Sequence, residues 1–76
     1  MADEALTSQR RAFADNVREL RKKAGLTQEG LGWASGLHQT EIARIESGRR
    51  NPGLDTVFKV ATGLSVPPSD LFRGIR

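Results

Sequence analysis

At 76 residues the chain holds enough for one small domain and too little for two. It has no cysteine and one histidine, which excludes disulfides and thiolate catalysis and leaves no zinc or iron site. Twelve Lys plus Arg against nine Asp plus Glu give a net charge of +3, compatible with a polyanionic partner without identifying one, so charge placement decides more than the total.

Residues 1–7 read as a flexible arm, because Met1–Leu6 is short, mixed and unpatterned. Thr7 or Ser8 can cap a first helix whose apolar stripe is Phe13, Val17, Leu20 and Ala24, at steps of four, three and four. Gly25 suits the left-handed residue that ends it, and Arg21, Lys22 and Lys23 suit the negative end of its dipole. Thr27 is a good cap for a second helix running to about Ser35, with Leu31 and Ala34 facing inward and Gly36 as its stop. A third helix is expected from about Gln39 to Ser47, burying Ile42 and Ile45 and closed by Gly48. Arg49-Arg50-Asn51-Pro52-Gly53 is a polar loop, since Pro52 disfavours helix at Asn51 and Gly53 can cap the next helix.

Leu54, Val57, Phe58, Ala61 and Leu64 supply the apolar face of a fourth helix, with Asp55 at its positive dipole end. Pro68 fits the first turn of a short last helix ending with Leu71 and Phe72. No segment alternates with period two, so the expected fold class is all-α: five short helices around one core in a single domain. No apolar run approaches the roughly 18–20 residues that span a bilayer, and nothing N-terminal resembles a secretory signal, so a cytoplasmic, nucleoid-associated protein is expected.

Two short helices around one glycine turn, over about residues 27–47, followed by a basic loop, form a helix-turn-helix layout. The second helix of such a pair can lie in the DNA major groove while the first touches the backbone. The segments LRKKAGLTQEGL, ASGLHQTEIARIESGRRNP and LDTVFKVATGLSVPPSDLF together resemble the phage-repressor/Cro-type helix-turn-helix family, the XRE family, over about Phe13 to Phe72. The resemblance implies a lambda-repressor-like fold and a DNA-binding transcriptional regulator acting as a dimer on inverted repeats. It also implies a phosphate contact for Gln28 and a structural ion pair between Arg21 and Glu46. By analogy a chain this short, without an effector domain for a small molecule, suits a small phage repressor or a restriction-modification controller.

On the third helix, burial of Ile42 and Ile45 turns Gln39, Thr40 and Arg44 outward, with His38 at the leading turn. Gln can pair with adenine N6/N7, Arg with guanine O6/N7, and the Thr methyl can meet that of thymine. Histidine is a poorer cap than serine or threonine, so His38 is a candidate for base or phosphate contact instead. Glu41 can accept from cytosine N4 or simply favour the helix start. Ser47, Gly48, Arg49, Arg50 and Asn51 are expected on phosphates, through backbone N–H groups near Gly48 and through the two guanidinium groups. Arg18, Lys22 and Lys23 read as a solvated face.

Gly30 stands where the family usually has the Glu of a capping box, and Gly32 where it has a small residue such as Ala. Each softens the second helix, although Gly32 also permits close approach of the third. Trp33 can cover the N-terminal arm, touch the DNA backbone through its indole N–H or join an interface; arm packing ranks first. A homodimer is expected through the C-terminal helices, at Val66, Leu71, Phe72 and Ile75. The same residues with Trp33 support a competing reading, a protein-interaction module of antitoxin-like or co-regulator type that keeps the fold. No cofactor is expected, and no enzyme: a lone His38 beside Glu41 provides neither a positioned nucleophile nor a pocket.

Overall fold

The computed structural model describes residues 2–76, with side chains from Glu4 onward. Among them the chain forms α1 (Ala2–Lys23), α2 (Gln28–Ser35), α3 (Gln39–Glu46), α4 (Leu54–Leu64) and a 3₁₀ helix, Pro68–Phe72. α1 packs on α3 and the 3₁₀ helix, while α2 packs on α3 and α4. The turns follow the glycine signals: Gly25 and Gly36 take the left-handed conformation, with φ of 72° and 74°, which a Cβ would strain.

The expected arm is instead helical. Residues 2–7 continue α1 toward the N-terminus, so Thr7 and Ser8 lie inside the helix rather than at its start; Met1 lies outside the described residues. Ala2, Ala5 and Leu6 are good helix formers, and one turn further on the Gln9 amide donates to the Arg76 carbonyl at 2.6 Å, tying this end to the C-terminus. Asn16 was not legible as structural, yet its Nδ2 donates to the carbonyls of Leu71 (2.9 Å) and Arg73 (3.0 Å) and holds the last turn on α1.

One core contains Phe13, Val17, Leu31, Ile42, Ile45, Val57, Val60, Ala61, Leu64 and Leu71. Ala24 and Ala34, expected inside, are exposed. On α2 the inward neighbour of Leu31 is Ser35, whose hydroxyl donates to the Leu31 carbonyl at 2.6 Å. Leu54 (67% exposed) and Phe58 (46%) also lie outside. Helical geometry explains this: with Leu54 at zero, the buried Val57, Val60, Ala61 and Leu64 cluster near about 290°, leaving Leu54 about 70° and Phe58 about 110° off that direction.

The C-terminal residues expected at a dimer interface divide. Leu71 is fully buried in its own core and cannot face a partner, while Val66 packs half-buried against that core. Phe72 is 48% exposed, its ring stacked obliquely on Phe13 with centroids 5.3 Å apart. Phe72 and Ile75 join Leu6, Phe13, Leu54 and Val57 in an open apolar groove between α1, α4 and the 3₁₀ helix.

Candidate DNA interface

α2 is capped by Thr27, whose hydroxyl accepts from the Gly30 N–H at 2.9 Å. This half of a capping box survives without the glutamate. Gly32 is required by the fold: a Cβ there would stand 2.7 Å from the Leu37 carbonyl oxygen and 3.3 Å from the Gln39 nitrogen. The absent side chain lets the turn and the start of α3 close onto α2.

His38 does cap α3, contrary to the expectation that a poorer capping residue would be free for DNA. Its Nδ1 accepts from the Thr40 N–H at 3.1 Å, with extended backbone at φ −74°, ψ 146°. Beyond it Gln39, Thr40 and Arg44 are exposed, while Ile42, Ile45 and Glu46 are buried on the opposite side; Glu41 is half-buried. Thr40, Ala43, Arg44 and Ser47 then share one open concavity with Arg49 and Arg50. Gln39 and His38 line an adjoining hollow together with Trp33. The arm-packing reading of Trp33 is overturned, because its indole is 84% exposed.

Of the backbone donors expected on phosphates, the N–H groups of Ser47, Gly48 and Arg49 are engaged within the chain. Ser47 N–H reaches the Ala43 and Arg44 carbonyls (3.0 and 3.3 Å), and Gly48 N–H reaches Ile45 O at 3.1 Å. Ser47 Oγ donates to Arg44 O at 2.6 Å and accepts from Arg49 N at 3.2 Å. Beyond these, the loop presents the exposed side chains of Arg49 and Arg50 to an anion. Asn51 lies apart from them, in the apolar groove beside Pro52 and Leu54.

The far end of α3 is held by charge. Arg21 meets the Glu46 carboxylate through two bonds, Nε at 2.6 Å and Nη2 at 3.0 Å, and its Nη1 donates to Leu26 O at 2.9 Å. The hydrogen bond to Glu46 raises the Arg21 pKa above the ordinary arginine value, outweighing desolvation, which acts to lower it. Arg18, expected to be merely solvated, donates to the Glu46 backbone carbonyl at 2.5 Å and so satisfies the last turn of α3. Its Nε also stands 3.8 Å from the Glu46 carboxylate. The available signal was spacing: Arg18 and Arg21 are three apart and share one face of α1. Gln28 Nε2 donates to Glu46 Oε1 at 3.2 Å, so one amide hydrogen of the expected phosphate ligand is engaged and the second is left to point elsewhere.

This layout is shared. Residues 17–71 match the family described as Helix-turn-helix. The chain belongs to that family. As a member it is a DNA-binding transcriptional regulator. The control protein C.BamHI of Bacillus amyloliquefaciens is 42% identical over 60 residues, covering 78% of this chain and 74% of its own. An uncharacterised HTH-type transcriptional regulator of Sinorhizobium fredii, y4dJ, is 37% identical over 62 residues, covering 82% and 80%. The crystal structure of the restriction-modification controller protein C.AhdI from Aeromonas hydrophila superimposes with a TM-score of 0.83 at 38% identity, covering 86% of this chain and 98% of that one. No described helix is long and apolar enough to cross a membrane, and no described group of three or more His, Cys, Asp or Glu could hold a metal ion.

Proposed function

We propose that this regulator lays α3 in the major groove of double-stranded DNA, with Gln39, Thr40 and Arg44 on base edges and His38 at the leading end. The observation that carries the reading is the division of α3 into a buried side, Ile42, Ile45 and Glu46, and an exposed polar side continuous with Arg49 and Arg50. Arg49, Arg50 and the free amide hydrogen of Gln28 contact phosphates and set the register without reading sequence.

Two copies act together on an inverted repeat whose half-sites lie about one helical turn, roughly 34 Å, apart. The exposed apolar groove at Leu6, Leu54, Phe72 and Ile75 supports this pairing, because burying it against a second copy removes several large side chains from water. Two of the similar proteins bear the names control protein and restriction-modification controller protein. Their likeness over most of this chain supports a cytoplasmic role here as the controller of a restriction-modification system. No catalytic step belongs to it.

Selection of duplexes from a randomised pool tests the reading. The wild-type chain enriches two-fold-related sites, and the Gln39→Ala, Arg44→Ala double variant loses that preference. Replacing Arg50 by Ala shallows the log–log salt slope by about 0.9 for one lost phosphate contact. Absence of any specific retardation at physiological salt would instead favour a protein-interaction module that has kept the fold.

A further inference from the structure

Trp33 is the one tryptophan of the chain, and it stands 84% exposed on α2. A ring of that size ordinarily finds burial or a partner for its N–H. It does not sit on a convex surface either: with Glu29, Leu37, His38, Gln39 and two glycines it lines an open hollow of about 380 Å³ at the start of α3. Because His38 Nδ1 accepts the capping hydrogen bond from Thr40, the neutral imidazole carries its proton on Nε2. The hollow therefore combines an apolar aromatic face, an imidazole N–H donor, the Gln39 amide and one carboxylate.

We propose that Trp33 is itself a DNA contact, extending the interface from α3 onto α2. Its ring packs on the deoxyribose of the strand flanking the base met by Gln39, and His38 Nε2–H donates to the adjoining phosphate. The inference rests on the docking of α3 proposed above. With that helix in the groove, α2 crosses the backbone, so a side chain on the edge of α2 nearest Gln39 meets sugar and phosphate. Glu29 repels a phosphate but not a sugar, which places the apolar part of the backbone against the ring and the phosphate toward His38. A second copy of the chain is the weaker occupant, since the large apolar groove lies on α1, α4 and the 3₁₀ helix instead.

Because the chain has a single tryptophan, its fluorescence reports on this hollow alone. With a duplex selected by the wild-type protein, saturating DNA shields Trp33 from acrylamide several-fold at fixed, dilute protein. Trp33→Ala keeps its melting temperature, as befits so exposed a side chain, and binds the same duplex roughly tenfold more weakly. Its preferred sequence and salt slope stay unchanged, because a sugar contact reads no base and neutralises no charge. Equal acrylamide access in free and bound protein overturns the inference, and so does shielding that grows with protein concentration without DNA, which marks a self-interface. The Gln39→Ala, Arg44→Ala variant separates the two proposals. If it shifts the preferred sequence while Trp33 stays accessible in the complex, the docking of α3 stands and only the Trp33 contact falls. If it leaves the preference intact, both fall.

Discussion

Helices α2 and α3 are each eight residues long and are separated only by Gly36, Leu37 and His38, yet they are anchored by different chemistry. α2 is held by close approach. Gly32 admits the following turn, and a Cβ on Gly63 of α4 would stand 2.9 Å from both the nitrogen and the Cβ of Ser35. α3 gives one side to solvent and buries two isoleucines, so packing fixes its orientation less completely. A polar joint completes the anchoring. There Glu46, 3% exposed, receives Arg21, Arg18 and Gln28 from the two helices before it. A helix that must present a face to DNA has little surface left to bury, and directional bonds at its end replace the missing contact area.

The sharpest break in this comparison is at Glu46. Glu46→Ala leaves Arg21, whose side chain is 12% exposed, without its anion, and an uncompensated buried charge costs about 3–5 kcal/mol. For a domain of this size the melting temperature falls by more than about 10 °C. Glu46→Gln, which keeps a carbonyl acceptor, falls less. A drop of only a degree or two in Glu46→Ala would mean that packing alone orients α3. The folded pKa of Arg21 is raised, so its share of stability is fully present below the ordinary arginine value and is lost only above it. The titration of Arg21 therefore brings no pH dependence to the neutral range.

A smaller loss is expected at Gly63. Gly63→Ala gains helix propensity of about 1 kcal/mol, but its methyl meets the backbone of Ser35 at 2.9–3.0 Å and forces α2 and α4 apart. Overpacking of this kind costs about 1–3 kcal/mol, for a net loss near 1 kcal/mol, read as a lower denaturant midpoint. A stabilised variant would show that α2 tolerates a wider spacing and that close approach is not what holds it.

How much of this was legible before the structure depends on the range of each signal. The boundaries of α2, the Gly36 turn and the inward Leu31, Ile42 and Ile45 were readable, because capping, left-handed glycine and helical period act within a few residues. The outward Gln39, Thr40 and Arg44 followed from the same period. The start of α1 was not: residues 2–7 carry no amphipathic stripe, and the bond from Gln9 to Arg76 joins the ends of the chain. Leu54 and Phe58 misled because either is plausible on a broad apolar face, whereas the buried side is centred on Val57, Val60, Ala61 and Leu64. The candidate site shows the same limit. That a Gln28 hydrogen is spent on Glu46 depends on a bond made only when α2 meets the end of α3.

The smallest expected effect compares the two caps. Thr27 Oγ1 and His38 Nδ1 play the same part, accepting an N–H near the first turn at 2.9 and 3.1 Å. Threonine holds its oxygen on a short side chain and bonds the third helical residue; histidine reaches the second with a bulkier ring. Thr27→Ala then costs about 1 kcal/mol, and His38→Ala less than that. His38→Ser restores a better cap without an imidazole, so it melts at or slightly above the wild-type temperature. Chemical denaturation of the three variants ranks the caps directly. If His38→Ala proved the most damaging, the imidazole would be holding more of α3 than its one backbone bond, and the division between a packed α2 and a charge-held α3 would have to include the leading end of α3 as well.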